Sequence, residues 1–153
     1  MSQVFVIGIA GARGVGKSSL AGELLLLWSG PKQYIVFSKA VKIVLAEAGN
    51  DIGEDGDCLI VIDDVRLRHE AEWLRQFCAE RGYSYRLVRV VASQELGVQR
   101  LSKDNAQPAG EADSTEVEFF RTEADWTVCN TAAPIALMDV ACLIICDIVG
   151  VQL

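Results

Sequence analysis

One histidine, three prolines and no cysteine pair at CxxC spacing mark the chain, and each scarcity narrows what it can be. The five cysteines, Cys58, Cys78, Cys129, Cys142 and Cys146, are odd in number and lie mostly in apolar runs. Neither a disulfide framework nor a zinc site is expected, and a reducing cytoplasm fits best. The lone His69 reads as a surface residue. No Pro, Gly or Ser tract of the kind that forms disordered linkers occurs, and no internal repeat. Positive charge is the minority sign: 14 Lys and Arg stand against 21 Asp and Glu, for a formal charge of −7. The cations are scattered and leave no basic footprint for a nucleic acid polymer. No cationic stretch precedes the first apolar run, so it reads as a strand and not a signal peptide. The tail "PIALMDVACLIICDIVGVQL" is apolar, but Asp139 and Asp147 interrupt it. No stretch is left that spans about 30 Å of hydrocarbon, so no membrane is expected, only a buried or half-buried final helix.

What remains is a chain of 153 residues, 51% hydrophobic and 23% charged, read as one domain over 1–153. Apolar runs of strand length fall at 3–10, 34–37, 58–62, 85–91 and 126–129, with helical patterns at 17–29, 39–49, 68–82, 93–101 and from about Ala133. Val- and Ile-rich strands without polar alternation, separated by helices, predict an α/β fold with a parallel sheet covered on both faces. Residues 102–116, "SKDNAQPAGEADSTE", are poor in apolar residues and read either as a surface loop or as a lid.

Between the first strand and the first helix lies "GARGVGKSS". Gly11, Ala12, Arg13, Gly14, Val15, Gly16, Lys17 and Ser18 satisfy G-x-x-x-x-G-K-[S/T], with a strand entering and a helix leaving. In an acidic protein a polyphosphate has to be held locally. Backbone N–H groups wrapped around the anion, the helix N-terminus and one ammonium supply that hold. Lys17 is expected to reach the β- and γ-phosphates of ATP, Ser18 to bind Mg²⁺, and Ser19 to donate to the α-phosphate. "CLIVIDD" (58–64) sets Asp63 and Asp64 at a strand end, where one of them serves the metal through water; capping of the following helix is the alternative.

A P-loop alone does not distinguish a kinase from a switch or a motor. No N-K-x-D guanine-reading element is present, and the chain is small for a motor ATPase. Arg66 and Arg68 follow the carboxylates directly and would bind an acceptor phosphate, or else pair with Glu70 or Glu72 on the first helical turn. Lys39 and Lys42 are further acceptor contacts. Arg100, Lys103 and Arg121 flank the lid segment and are placed to close on the transferring phosphoryl group.

The order of "FSKAVKIVLAEA" (37–48), "IDDVRLRHEAEWLR" (62–75), "YRLVRV" (85–90), "DSTEVE" (113–118) and "DWTVCNTA" (125–132) after the P-loop resembles phage-type deoxynucleoside monophosphate kinases. In that family the corresponding phrases are F-A-D-P-L-K, D-V-R-F-P-N-E-A-E, V-I-R-V, H-x-S-E and D-x-x-I-x-N-x-G. The resemblance implies a P-loop kinase fold with five parallel strands in the order 2-3-1-4-5, and ATP-dependent phosphorylation of a nucleotide monophosphate. It implies Lys17 and Ser18 for ATP and Mg²⁺, Asp64 and Arg66 for the acceptor side, and Glu116 in the lid; Asp63 is the candidate metal carboxylate, with Asp64 the open alternative. Two departures stand out. Only "NDIGEDGD" occupies the place of the usual acceptor-binding insertion, and Asp113 and Arg68-His69 replace the family's His and Pro-Asn.

The leading expectation is therefore a cytoplasmic kinase whose partner is a nucleotide monophosphate, with a homodimer as an open assembly. The alternatives are a P-loop binding protein without transfer activity and a kinase of a small non-nucleotide metabolite.

Overall fold

In a computed structural model of the chain, the residues described are 3–11, 17–37, 45, 56–92, 124–130 and 134–150. They form β1 (Val4–Gly11), α1 (Lys17–Leu27), β2 (Lys32–Val36), β3 (Cys58–Asp63), α2 (Arg68–Arg81), β4 (Ser84–Ala92), β5 (Trp126–Asn130) and α3 (Pro134–Val149). The strands make one five-stranded sheet in the order β2-β3-β1-β4-β5, and every neighbouring pair runs parallel. All five strands coincide with the apolar runs of the sequence, with β2 beginning two residues earlier, at Lys32. The helical patterns at 93–101 and the lid segment at 102–116 lie outside the described residues, as does the 39–49 pattern apart from Leu45.

Alternation along the strands divides the core in two. Phe5, Ile7 and Ile9 of β1, with Leu59 and Val61 of β3, face Leu20, Ala21 and Leu24 of α1 and Leu137, Ala141 and Ile144 of α3. Val4, Val6 and Ala10, with Ile60 and Ile62, face Ala71, Leu74 and Cys78 of α2. A sheet buried on both faces is why β1 and β3 read as continuous apolar runs. Among the described residues no helix is long and apolar enough to cross a membrane.

β1 and β3 are neighbours, but their connections leave in opposite directions: α1 carries the chain to β2 at one edge, and α2 carries it to β4 on the other side of β1. The carboxyl ends of β1 and β3 therefore flank a topological switch point, where open α/β sheets form their ligand crevice.

α2 is fixed at both ends by local chemistry. Its N-cap, Leu67, has no side-chain oxygen, so only half of a capping box forms: Glu70 reaches back to accept the N–H groups of Leu67 (2.7 Å) and Arg66 (3.0 Å). At the far end Gly82 adopts φ 71°. The amide of Gly82 then donates to Ala79 and that of Tyr83 to Cys78, and Tyr83 packs on Phe77. This is a Schellman motif with its apolar contact.

Candidate functional site

Gly11 ends β1 and Lys17 opens α1, so the two described ends of the glycine-rich segment sit at the switch point. Ala12, Arg13, Gly14, Val15 and Gly16 lie outside the described residues. The Lys17 ammonium folds back across the start of its own helix, donating to the Gly11 carbonyl at 2.9 Å and to Asp64 Oδ1 at 2.9 Å. No acidic residue occupies the first turn of α1, which leaves its positive end unneutralised from within the helix.

Two consecutive carboxylates at the end of β3 take different partners. Asp63, the last residue of the strand, is 4% exposed and is the one buried charged residue among those described. Its Oδ2 accepts from Ser18 Oγ (3.2 Å) and from the Tyr34 hydroxyl (2.6 Å), and its Oδ1 from the Asp64 amide (2.7 Å). Asp64 leaves the strand with φ 63°, the one described non-glycine residue in the left-handed region, a conformation that Asp tolerates better than most side chains. That turn separates the two carboxylates: Asp63 remains against Ser18, while Asp64 meets Lys17 and Arg66 Nε, both at 2.9 Å. Burial alone would raise the Asp64 carboxyl. Hydrogen bonds and charge from Arg66 and Lys17 outweigh it and hold the group below the usual carboxylate range.

The backbone on either side of this turn is tied to both neighbouring strands. The Phe37 amide donates to the Asp63 carbonyl at 2.9 Å and the Val65 amide to the Ile9 carbonyl at 3.0 Å. The carboxylate pair is thus anchored on rigid elements, and neither member caps α2, since Glu70 has that role.

The remaining candidates divide. Arg66 points at the site through Asp64, with its side chain 62% exposed. Arg68 sits on the exposed first turn of α2, paired with Glu72 at 2.9 Å, as its i,i+4 spacing allows. Ser19 is an exposed residue of α1, and His69 is exposed on α2. Lys39, Lys42, Arg100, Lys103, Glu116 and Arg121 lie outside the described residues.

Two members of the cluster were not singled out from sequence. Glu70 carries a weak signal, an acid three residues after the N-cap, obscured because Leu67 lacks the matching oxygen. Tyr34 carries none, since its place depends on the register of β2 with β3.

Together the cluster offers an ammonium, a guanidinium, a hydroxyl and a shielded carboxylate around one strand-end crevice. Ser18 Oγ and the Asp63 carboxylate are hard oxygen donors on two rigid elements, a pair that suits a small, hard divalent cation. The Lys17 and Arg66 cations suit an anion's oxygens.

No protein-family model and no curated protein matches the sequence. Solved structures match in fold. The APS kinase CysC of Mycobacterium tuberculosis in complex with AMPPNP and APS has a TM-score of 0.64 at 18% identity, over 98% of this chain and 99% of that one. The tunicamycin resistance protein of Deinococcus radiodurans gives 0.62 at 20% identity, over 99% and 98%. Shikimate kinase from Acinetobacter baumannii in complex with shikimate gives 0.54 at 16%, over 98% and 96%. At such identities the likeness is one of fold, and the fold is that of P-loop kinases: a five-stranded parallel sheet in the order 2-3-1-4-5 with helices on both faces.

Proposed function

We propose that the chain is an ATP-dependent phosphotransferase that moves the γ-phosphoryl group of Mg·ATP to a nucleotide monophosphate. One observation carries the reading: Lys17 and Ser18, the fixed Lys and Ser of the glycine-rich motif, each bond a different strand-end carboxylate, Asp64 and Asp63. A phosphate-directed cation and a metal-directed hydroxyl with its acid are thereby assembled at one crevice. The P-loop kinase fold of the chain supports transfer, and the order of motifs from residue 37 to 132 supports a nucleotide as acceptor.

Ser18 and Asp63 would hold Mg²⁺, which when bound neutralises charge on the β- and γ-phosphates. Lys17 moves from Asp64 to the phosphate oxygens. Arg66, held from behind by Asp64, orients the acceptor's phosphate with two parallel N–H donors. An acceptor phosphate oxygen attacks the γ-phosphorus as the bond to the β-phosphate oxygen breaks, and ADP departs with the electron pair. Phosphoryl transfer of this kind depends on positioning and charge neutralisation more than on a general base, so none has to be found in the chain.

The test is a coupled ADP-release assay with Mg·ATP across the common nucleoside and deoxynucleoside monophosphates, against Lys17→Ala. Acceptor-dependent turnover that vanishes in Lys17→Ala is the expected result, and no turnover above that control with any monophosphate overturns the reading. A second reading, transfer to a small non-nucleotide metabolite, draws support from fold neighbours of the same compact size, one of them bound to shikimate. It predicts turnover only with metabolite hydroxyls.

A further inference from the structure

Tyr34 stands on β2, an edge strand whose residues Lys32 to Tyr34 are all exposed. Its ring contributes little to the core, with 41% of the residue open to solvent. The hydroxyl nevertheless turns inward to the buried Asp63. The register explains how: Tyr34 pairs with Val61, which faces α1, and Asp63 lies two residues further along the same face. The phenol reaches along the sheet to that carboxylate and donates at 2.6 Å, the shortest of the three hydrogen bonds Asp63 receives from the described residues.

Each carboxylate oxygen has two acceptor sites. Among the described residues, Tyr34 and Ser18 donate to Asp63 Oδ2 and the Asp64 amide donates to Oδ1. The carboxylate is therefore fixed from three places: the edge strand, the first turn of α1 and its own following backbone.

Resting on the reading that Ser18 and Asp63 face the metal of a bound nucleotide, we propose that Tyr34 is a positioning residue for that metal, acting through Asp63. Its hydroxyl holds Oδ2 in place beside Ser18, so that the carboxylate and the Ser18 hydroxyl keep a fixed relation to each other. Without the hydroxyl, Asp63 keeps its charge and its bonds to Ser18 and the Asp64 amide but loses the shortest of its tethers, and its orientation loosens. Outer partners that orient a metal-binding group in this way are worth about 10- to 100-fold in metal affinity when removed.

The experiment measures, by calorimetry on the full chain, the affinity for a slowly hydrolysed ATP analogue in excess Mg²⁺ and again in EDTA. It compares wild type, Tyr34→Phe, Asp63→Asn and the double variant, with a thermal melt of each. Tyr34→Phe retains the ring on an exposed strand but deletes a hydrogen bond to a buried charge, so a modest fall in melting temperature is expected; its metal-free affinity should match wild type while the gain from Mg²⁺ falls about tenfold. In the Asp63→Asn background the same change should have almost no further effect. A Mg²⁺ gain in Tyr34→Phe equal to wild type overturns the assignment, as does equal loss with and without metal, or full additivity with Asp63→Asn. Absence of Mg²⁺-dependent binding in the wild type overturns the phosphotransferase reading itself, which separates that failure from failure at Tyr34.

Discussion

Lys17 and Asp64 meet at 2.9 Å across the mouth of the crevice, with side chains 15% and 24% exposed. The ammonium that a polyphosphate needs is therefore held by a carboxylate, and nucleotide binding has to exchange one anion for the other. Asp64→Asn removes that competitor and a repulsive charge but also removes the carboxylate that Arg66 Nε bonds. Affinity for metal-free ATP should rise about fivefold, equivalent to ~1 kcal/mol of relieved electrostatics at intermediate dielectric. Acceptor-dependent turnover should fall at least as much. Calorimetry and steady-state kinetics on the same preparation check both signs, and tighter binding together with undiminished turnover would exclude a role for Asp64 on the acceptor side.

The same carboxylate predicts a pH effect. Its titration in the folded chain is depressed, by hydrogen bonds and charge from Arg66 and Lys17 that exceed the opposing effect of burial. A group of this kind stabilises the fold above the unfolded carboxylate value of about 3.9, and the contribution disappears as pH falls through the lower folded value. Asp147 adds a second such group, depressed by hydrogen bonds from Trp126 and Arg86 against a smaller effect of burial. Denaturant titrations should show stability falling as pH drops below about 4, with a shallower fall in Asp64→Asn and in Asp147→Asn. An acid limb identical to wild type in both variants contradicts this.

The sheet was readable because its chemistry is local and repetitive. β1 and β3 are buried on both faces, so their apolar runs announced them, and the G-x-x-x-x-G-K-S pattern marked where β1 ends and α1 begins. The strand-end pair Asp63–Asp64 was readable as a pair. Its division of labour was not, because that depends on the left-handed turn at Asp64, a conformation that composition does not signal. Tyr34 was hidden for a different reason: its partner is 29 residues away, and only the β2–β3 register brings them together. Arg68 shows the opposite case, since its i,i+4 partner Glu72 was already legible.

Thiol reactivity should sort by burial. Cys129 and Cys142 are exposed, Cys146 and Cys58 are half-buried, and Cys78 lies in the core beneath α2. Burial pushes the Cys78 thiol up to about 12 and raises Cys58 as well, and only the thiolate reacts. A chromogenic disulfide reagent at pH 8 should modify Cys129 and Cys142 first and leave Cys78 untouched until denaturant is added. Mass mapping of the adducts checks the order, and early labelling of Cys78 would mean that α2 opens readily from the sheet.

Gly8 keeps room for a buried tyrosine. A methyl group there would sit 3.0 Å from the Tyr85 hydroxyl oxygen and 3.4 Å from Leu87 Cδ1. The hydroxyl is buried with no hydrogen-bond partner among the described residues, and the side chain is enclosed in the core, so it has little room to give way. Gly8→Ala should cost about 1–3 kcal/mol by overpacking. Tyr85→Phe should be neutral or stabilising, because it deletes an unpartnered buried polar group. The double variant should recover most of the loss, a departure from additivity that urea denaturation of the four chains measures directly.

Glu70 joins the stability of α2 to the aim of Arg66. Its carboxylate accepts both the Leu67 and the Arg66 amides, at 2.7 and 3.0 Å, and so closes the segment that runs from the Asp64 turn into the helix. Leu67 has no side-chain oxygen to bond the first amides of the helix, so its side chain cannot substitute when Glu70 is lost. Glu70→Ala should therefore destabilise the fold by about 1 kcal/mol, the ordinary value of a lost cap. Its kinetic signature should be specific. Lys17 and Ser18 stand on α1, outside this segment, and Lys17 has to leave Asp64 when ATP binds, so the KM for ATP should stay near wild type while the KM for the acceptor rises several-fold through the loosened Arg66. Glu70→Gln keeps an acceptor oxygen at the same position and should restore most of both quantities. A Glu70→Ala chain that loses stability but keeps its acceptor KM would detach Arg66 from acceptor binding, and the second guanidinium at Arg68 would become the better candidate.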